Sequence, residues 1–107
     1  DLALRHPDLF ETVVAQSGAF LIAPEDDPID PFDGGEWLLS RLRAGDGSGL
    51  RWRLECGTLE WLIGAHRRLE AALDASGEEH ETLTRNMGHN WTHWRQGIPE
   101  ALRWALG

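Results

Sequence analysis

The chain has 107 residues, enough for at most one domain, and 41% of them are hydrophobic, as in a globular protein. No apolar run approaches the ~20 residues that a membrane-spanning helix needs, which excludes a membrane segment. The formal net charge of −8 disfavours nucleic acid and anionic membrane surfaces as partners.

The chain does not begin with Met and opens in a helical pattern over residues 1–7. Pro7 ends that helix, because the residue before a proline is pushed out of the α-helical region. A native N-terminus seldom begins with the last turn of a helix. We therefore expect residues 1–107 to be the C-terminal portion of a larger domain; the alternative is a trimmed small domain.

A short β-branched run at residues 12–16 predicts a buried strand, and Ser17 and Gly18 predict the turn after it. Residues 21–35 hold three Pro and five acidic residues, which predicts a loop or a cap insertion. Residues 36–43 (EWLLSRLR) predict a short amphipathic helix, which a glycine-rich segment ends.

Residues 50–56 alternate apolar and polar side chains, the period of a strand, and Gly57 and Thr58 turn the chain. Helical spacing predicts a helix over 60–76, and residues 80–85 predict a third strand. A last helix is predicted over 91–106, with Pro99 near its middle. Its apolar face is predicted to hold Trp91, Trp94, Ile98, Leu102 and Ala105.

Strands and helices thus alternate three times, which predicts an α/β fold of about three parallel strands with flanking helices. In a parallel sheet the ligand site lies beyond the carboxyl ends of the strands. Trp37 and Trp52 are predicted to pack in the core, as is Cys56, a lone cysteine that excludes an internal disulfide.

Two residues that can carry chemistry follow strands. Glu60 follows the second predicted strand and His89 the third, so both are predicted to emerge at the same edge of the sheet. A carboxylate there could orient an imidazole, and Gly88 would let the loop bend sharply enough to project His89. The alternatives are a first-turn acid favoured by the helix dipole and a surface histidine.

Acid followed by histidine is the second half of the Ser…Asp/Glu…His order of α/β-hydrolases, but no G-x-S-x-G occurs in the chain. Ser17 is not expected to be the nucleophile. A nucleophile elbow needs Gly two residues before and two after the serine, and here Ala15 and Ala19 occupy those positions. Ser17 is therefore interpreted as a turn residue.

Three segments resemble the C-terminal half of the putative esterase family of α/β-hydrolases, which includes enterochelin (ferric enterobactin) esterases and feruloyl esterases. The strand and QSG-containing loop after the family's nucleophile elbow are similar to residues 3–20 (ALRHPDLFETVVAQSGAF). The family's acid-bearing turn and helix are similar to residues 54–73 (LECGTLEWLIGAHRRLEAAL). Its histidine segment, typically GGHDW with a second Trp and an Arg after it, is similar to residues 87–102 (MGHNWTHWRQGIPEAL).

The resemblance implies an α/β-hydrolase fold in which His89 is the catalytic general base. It also implies that Glu60 is the acid of a Ser-His-Glu triad, since the family uses Asp or Glu there, although some members use a Ser-His dyad. Two residues depart from the family pattern: Met87 stands where Gly is usual, and Asn90 where Asp is usual.

Other side chains near His89 leave alternatives open. Trp91 and Trp94 could wall an aromatic substrate pocket or simply pack the helix face. Arg95 could meet an anionic substrate or remain an exposed arginine. His89 and His93 are four residues apart, but the Glu of H-E-x-x-H is absent, so we expect neither a metal site nor a cofactor.

These observations predict the histidine- and acid-bearing portion of a bacterial serine carboxylic-ester hydrolase, with the serine and the oxyanion hole outside these residues. The chain alone is then expected to be inactive. The resemblance implies a small-molecule ester substrate, of the siderophore or aromatic class. We expect a cytoplasmic protein that forms a homodimer through its exposed sheet edge. The alternative is a non-catalytic α/β interaction module that lacks the nucleophile.

Overall fold

A computed structural model of the chain describes residues 2–20 and 37–107. The loop or cap insertion predicted for residues 21–35 lies outside the described residues. In chain order, the described elements are α1 (Leu2–Arg5), β1 (Thr12–Gln16), α2 (Trp37–Arg43), β2 (Arg51–Gly57), α3 (Ile63–Ser76), β3 (His80–Arg85) and α4 (Trp91–Leu106).

The three strands form one parallel sheet in the order β1-β2-β3. Ala15 of β1 pairs with Leu54 of β2, which pairs with Thr82 of β3. Because the three strands are parallel, with helix α3 connecting β2 to β3, their carboxyl ends all lie at one edge of the sheet. The predicted fold class is therefore confirmed, with β1, β3 and α4 at their predicted bounds.

Helix α3 begins three residues later than its pattern predicted. A turn precedes it, in which the backbone N–H of Glu60 donates to the carbonyl oxygen of Gly57 at 3.1 Å. Gly77 ends α3 in the left-handed conformation, with φ of 74°, as its sequence position predicted.

One face of the sheet forms the apolar core. Trp52 and Leu54 of β2 point to this face and are almost fully buried. They pack against α2 and α3, whose buried side chains include Leu38, Leu42, Leu69 and Leu73. Trp37 and Cys56 are also buried, so the predicted core residues are confirmed.

The other face of β2 carries charged residues that are also buried. Arg53 and Glu55 are 3% and 1% exposed, beneath α4. Oε1 of Glu55 accepts hydrogen bonds from Nε and Nη2 of Arg53 at 3.1 and 2.9 Å. Its Oε2 accepts from Arg85 at 3.0 Å and from Gln16 at 3.0 Å. β2 is thus covered on both faces, although alternating apolar and polar residues are typical of a strand with one face exposed to solvent.

The apolar side chains predicted along one face of α4 do not form its buried face. Its buried residues are His93, Gly97 and Ala101, whereas Trp91 and Leu102 are exposed. The physical reason is that α4 packs on the sheet face that carries Arg53 and Glu55, which is charged and hydrogen-bonded instead of apolar. The helix meets this face with small side chains and a histidine.

No helix in the described ranges is both long and apolar enough to cross a bilayer. The cytoplasmic location expected from the sequence stays a prediction.

Candidate functional site

Glu60 lies in the turn between β2 and α3, buried at the carboxyl edge of the sheet. Its Oε2 accepts a hydrogen bond from the backbone N–H of Gly57 at 2.5 Å and one from the Ser17 hydroxyl at 2.7 Å. Burial alone would raise the pKa of Glu60, but these hydrogen bonds, together with one from His89, hold the pKa below its ordinary value. Glu60 is therefore a carboxylate at neutral pH.

His89 lies in the loop between β3 and α4, and its side chain is about half exposed. Its Nδ1 is 2.6 Å from Oε1 of Glu60. An ionised carboxylate can only accept a hydrogen bond, so Nδ1 carries the proton. In the neutral ring the lone pair is then on Nε2, to which no group within residues 2–20 and 37–107 hydrogen-bonds.

Backbone hydrogen bonds join the two loops. The N–H of Thr58 donates to the carbonyl of Arg85 at 2.8 Å, and the N–H of Leu59 donates to the carbonyl of Met87 at 3.2 Å. These bonds continue the pairing of β2 and β3 past the ends of the strands. The Glu60 loop and the His89 loop are thereby held at a fixed separation.

The close approach of these loops needs glycine at position 57. A Cβ there would lie 2.0 Å from the carbonyl oxygen of Met87. The expectation that Gly88 bends the loop is not met, because Gly88 has no positive φ and a Cβ would meet only the Asn90 amide at 3.7 Å. The glycine that places His89 lies on the other loop.

Ser17 directly follows β1. Ser17, Glu60 and His89 thus follow the three neighbouring strands in order, at the same edge of the sheet. Its φ is 52°, the left-handed region that residues other than glycine rarely adopt. Its hydroxyl donates to Glu60 and accepts from the indole Nε1 of Trp94 at 2.8 Å. Sequence reasoning placed Ser17 in a turn but missed this role, for which the only signal was its position after a strand.

Asn90 begins α4. Its backbone is extended, with φ of −154°, and its side-chain Oδ1 accepts from the backbone N–H of His93 at 3.0 Å. An aspartate would cap the helix through the same oxygen. Replacing the family's usual Asp with Asn therefore keeps the cap that orients the helix directly after His89.

The three predicted substrate-contacting residues occupy different places. The ring of Trp94 meets the ring of His89 edge to face, with centroids 4.8 Å apart and planes at 88°. Trp91 and Arg95 are exposed on α4. The structure thus brings Trp94 into contact with the pair, and the predicted substrate contacts of all three stay predictions.

Three further groups lie buried near Glu60. Nδ1 of His93 is 3.6 Å from Oε2 of Glu60, and Sγ of Cys56 is 3.5 Å from the same oxygen. Burial, followed by the charge of Glu60, raises the pKa of Cys56 to about 12. His66 is also buried, and burial lowers its pKa. In the part of the chain that the structure describes, no three such residues are arranged to hold a metal ion.

A family model described as Putative esterase matches residues 2–105. No curated protein matches the chain significantly.

Among solved structures, the chain is similar to the enterochelin esterase from Shigella flexneri, with 29% identity and a TM-score of 0.72, over 94% of this chain and 25% of that one. It is also similar to a ferulic acid esterase, with 20% identity and a TM-score of 0.75, over 96% of this chain and 44% of that one. The chain thus spans less than half the length of either protein.

Proposed function

Because the chain belongs to the Putative esterase family, we propose that Glu60 and His89 are the acid and the general base of a Ser-His-Glu triad that hydrolyses carboxylic esters. The observation that carries the proposal is the hydrogen bond of 2.6 Å between Oε1 of Glu60 and Nδ1 of His89. A buried carboxylate and a half-exposed ring at one sheet edge suit this chemistry.

The proton arrangement supports the same roles. Glu60 keeps the proton of His89 on Nδ1, which leaves the Nε2 lone pair free to accept the proton of a serine hydroxyl. When that proton arrives, the imidazolium lies against a carboxylate whose pKa is held below its ordinary value. The serine oxygen bonds to the carbonyl carbon, and His89 gives the proton to the leaving alcohol as the ester bond breaks, which leaves an acyl-serine. In a second cycle His89 takes a proton from water, which attacks the acyl-serine, and returns it to the serine oxygen as the carboxylic acid leaves.

The nucleophile is proposed to lie outside these residues. Ser17 is a poor candidate because its hydroxyl proton is donated to Glu60 and its oxygen accepts from Trp94. A nucleophile would instead donate to Nε2 of His89. The 107 residues alone are therefore expected to hydrolyse esters no faster than the uncatalysed reaction.

The proposed substrate is a small-molecule ester of the siderophore or aromatic class. Large apolar side chains are exposed beside both residues of the pair: Leu59 and Trp61 flank Glu60, and Trp91 follows His89 by two residues. All three are more than 60% exposed. An aromatic acyl group could stack on such side chains, and the similar proteins are named for ferulic acid and enterochelin.

The test uses the full protein that carries these residues, with a 4-nitrophenyl ester as the probe. His89→Gln is expected to lower kcat by about 10³-fold or more, because the serine loses its base. Glu60→Gln is expected to cost less but still more than about tenfold, because an amide can leave the proton on the wrong nitrogen of His89.

His80→Gln and Glu79→Gln are matched controls. His80 begins β3 and Glu79 directly precedes it, at the end of the sheet away from the carboxyl ends of the strands. They should leave kcat within about twofold of the unsubstituted protein. If His89→Gln hydrolyses the ester as fast as these controls, the triad assignment is wrong.

A second candidate function is an interaction module, favoured by an apolar groove along β1. In the described ranges β1 pairs only with β2, and its outer side borders a groove of about 770 Å³. The proposed occupant is a second copy of the chain, paired along the exposed edge. Sedimentation that gives only monomer at all concentrations would remove this proposal.

A further inference from the structure

Ser17 has a backbone conformation that favours glycine. Its φ of 52° is left-handed, where a Cβ is unfavourable and glycine is not. Ser17 is also buried, so hydrogen bonding to water does not explain its unfavourable backbone conformation. Unusual backbone geometry of this kind tends to occur where a side chain has a function to perform.

The hydroxyl of Ser17 has both of its hydrogen-bonding roles filled. It donates to Oε2 of Glu60 at 2.7 Å and accepts from the indole Nε1 of Trp94 at 2.8 Å. The donation fixes the direction of the hydroxyl proton, because the indole N–H cannot accept. Ser17 thus connects a helix on one face of the sheet to the acid at its edge.

These bonds determine which oxygen of Glu60 meets His89. Oε2 is held by the N–H of Gly57 and by Ser17, so Oε1 is directed at Nδ1 of His89. Trp94 acts on both ends of the arrangement: its N–H holds Ser17, and its ring packs edge to face against His89 at 4.8 Å.

We propose that Ser17 and Trp94 are positioning residues, which hold the Glu60 carboxylate and the His89 ring in the geometry of proton transfer. The proposal rests on the function proposed above. It also gives Trp94 a role distinct from substrate contact, because the indole N–H is already engaged within the protein.

The variants are Ser17→Gly and Trp94→Phe in the full protein. Glycine fits the left-handed backbone at position 17 and removes the hydroxyl together with its CH2 group, so the variant is expected to fold. Ser17→Gly is expected to lower kcat for a 4-nitrophenyl ester by about tenfold with KM unchanged. Trp94→Phe should lower kcat less, and should add little when combined with Ser17→Gly, because both changes act on the same carboxylate.

A second measurement does not depend on turnover. The carboxyl pKa of Glu60, followed by ¹³C NMR, should rise in Ser17→Gly, because a hydrogen bond to the charged form is lost. Ser48→Gly and Trp104→Phe are the controls. Ser48 is exposed in the turn before β2, and Trp104 lies near the end of α4 beneath Arg51. Neither should change kcat or the titration of Glu60.

An unchanged titration of Glu60 in Ser17→Gly would overturn the proposal, as would an unchanged kcat. A rise in KM at constant kcat for Trp94→Phe would show substrate contact instead of positioning, and would overturn it for that residue. Failure of the triad itself looks different, because His89→Gln would then stay active while the titration of Glu60 still responded to Ser17→Gly.

Discussion

Gly97 of α4 lies directly against the carboxylate of Glu55 in β2. A Cβ at position 97 would stand 2.0 Å from Oε2 of Glu55 and 2.7 Å from the amide nitrogen of Gln16. The missing side chain is thus what lets the helix rest on a charged sheet face, with the buried carboxylate and its donors between them.

Gly97→Ala is expected to lower the free energy of unfolding by about 1–3 kcal/mol, despite the better helix propensity of alanine. The reason is that Glu55 is held in place by Arg53, Arg85 and Gln16 and cannot move aside. Urea unfolding followed by tryptophan fluorescence would measure the change.

Gly64→Ala in α3 is the matched control. Its Cβ would meet only the far end of the long Arg68 side chain, at 3.2 Å. Alanine should raise the free energy of unfolding there by about 0.5–1 kcal/mol. Equal effects of the two substitutions would contradict the close approach described at Gly97.

Gly57→Ala should increase the distance between Glu60 and His89. The new methyl group would push the carbonyl of Met87 away, and with it the loop that carries His89. In the full protein we expect kcat for the 4-nitrophenyl ester to fall by about 10-fold or more, and the low-field NMR signal of the proton between His89 and Glu60 to weaken.

Gly88→Ala provides the comparison, because it lies next to His89 but has room for a methyl group. It should leave the low-field proton signal in place. If Gly88→Ala disrupts the pair more than Gly57→Ala does, then the loop bend at Gly88 matters and the role assigned to Gly57 is wrong.

His66 makes stability depend on pH. Its ring is buried, and neither ring nitrogen has a hydrogen-bond partner among residues 2–20 and 37–107. Burial lowers its pKa from the ordinary value of 6.5. The unfolded chain therefore binds a proton at His66 more readily than the folded chain does. Above pH 6.5 His66 is neutral in both states and does not reduce stability. As the pH drops below that value, the free energy of unfolding falls.

His66→Leu should remove this dependence. Between pH 6.5 and 5 the slope of unfolding free energy against pH should decrease by up to about 1.4 kcal/mol per pH unit. Denaturant titrations at several pH values would measure both slopes. Identical slopes in the variant and the unsubstituted protein would show that His66 takes up its proton without cost in the folded state.

Cys56 should be inert in the folded protein. With its pKa raised to about 12, roughly one thiol in 10⁴ is ionised at pH 8, and the thiolate is the reactive form. Alkylation by iodoacetamide should therefore be at least 10²-fold slower in buffer than in denaturant. Equally fast labelling under both conditions would contradict the burial of this thiol.

The sequence predicted the sheet well, because short β-branched and alternating runs between turn residues leave little choice of strand. It also predicted that Glu60 and His89 would emerge at one edge, since both follow strands of a parallel sheet. The orientation of α4 could not be predicted in this way. Predicting a buried helix face from apolar periodicity assumes that the helix packs on an apolar surface. Here α4 packs on Arg53 and Glu55 of β2.

The parts of the site that the sequence did not reveal depend on contacts between distant segments. Ser17 and Trp94 are 77 residues apart, and no local pattern indicates that a hydroxyl and an indole will meet. Likewise, the need for glycine at position 57 arises from a carbonyl on another loop. Such requirements appear only when the strands are assembled.

The backbone bonds from Thr58 and Leu59 to the next loop make the separation of the Glu60 and His89 loops a property of the sheet backbone. The exposed Trp61 and Trp91 take no part in these bonds. Under the proposed function, Trp61 and Trp91 can therefore be exchanged over evolutionary time to suit a different ester, while the separation of Glu60 and His89 is preserved. Substrate specificity and proton transfer would then be inherited separately.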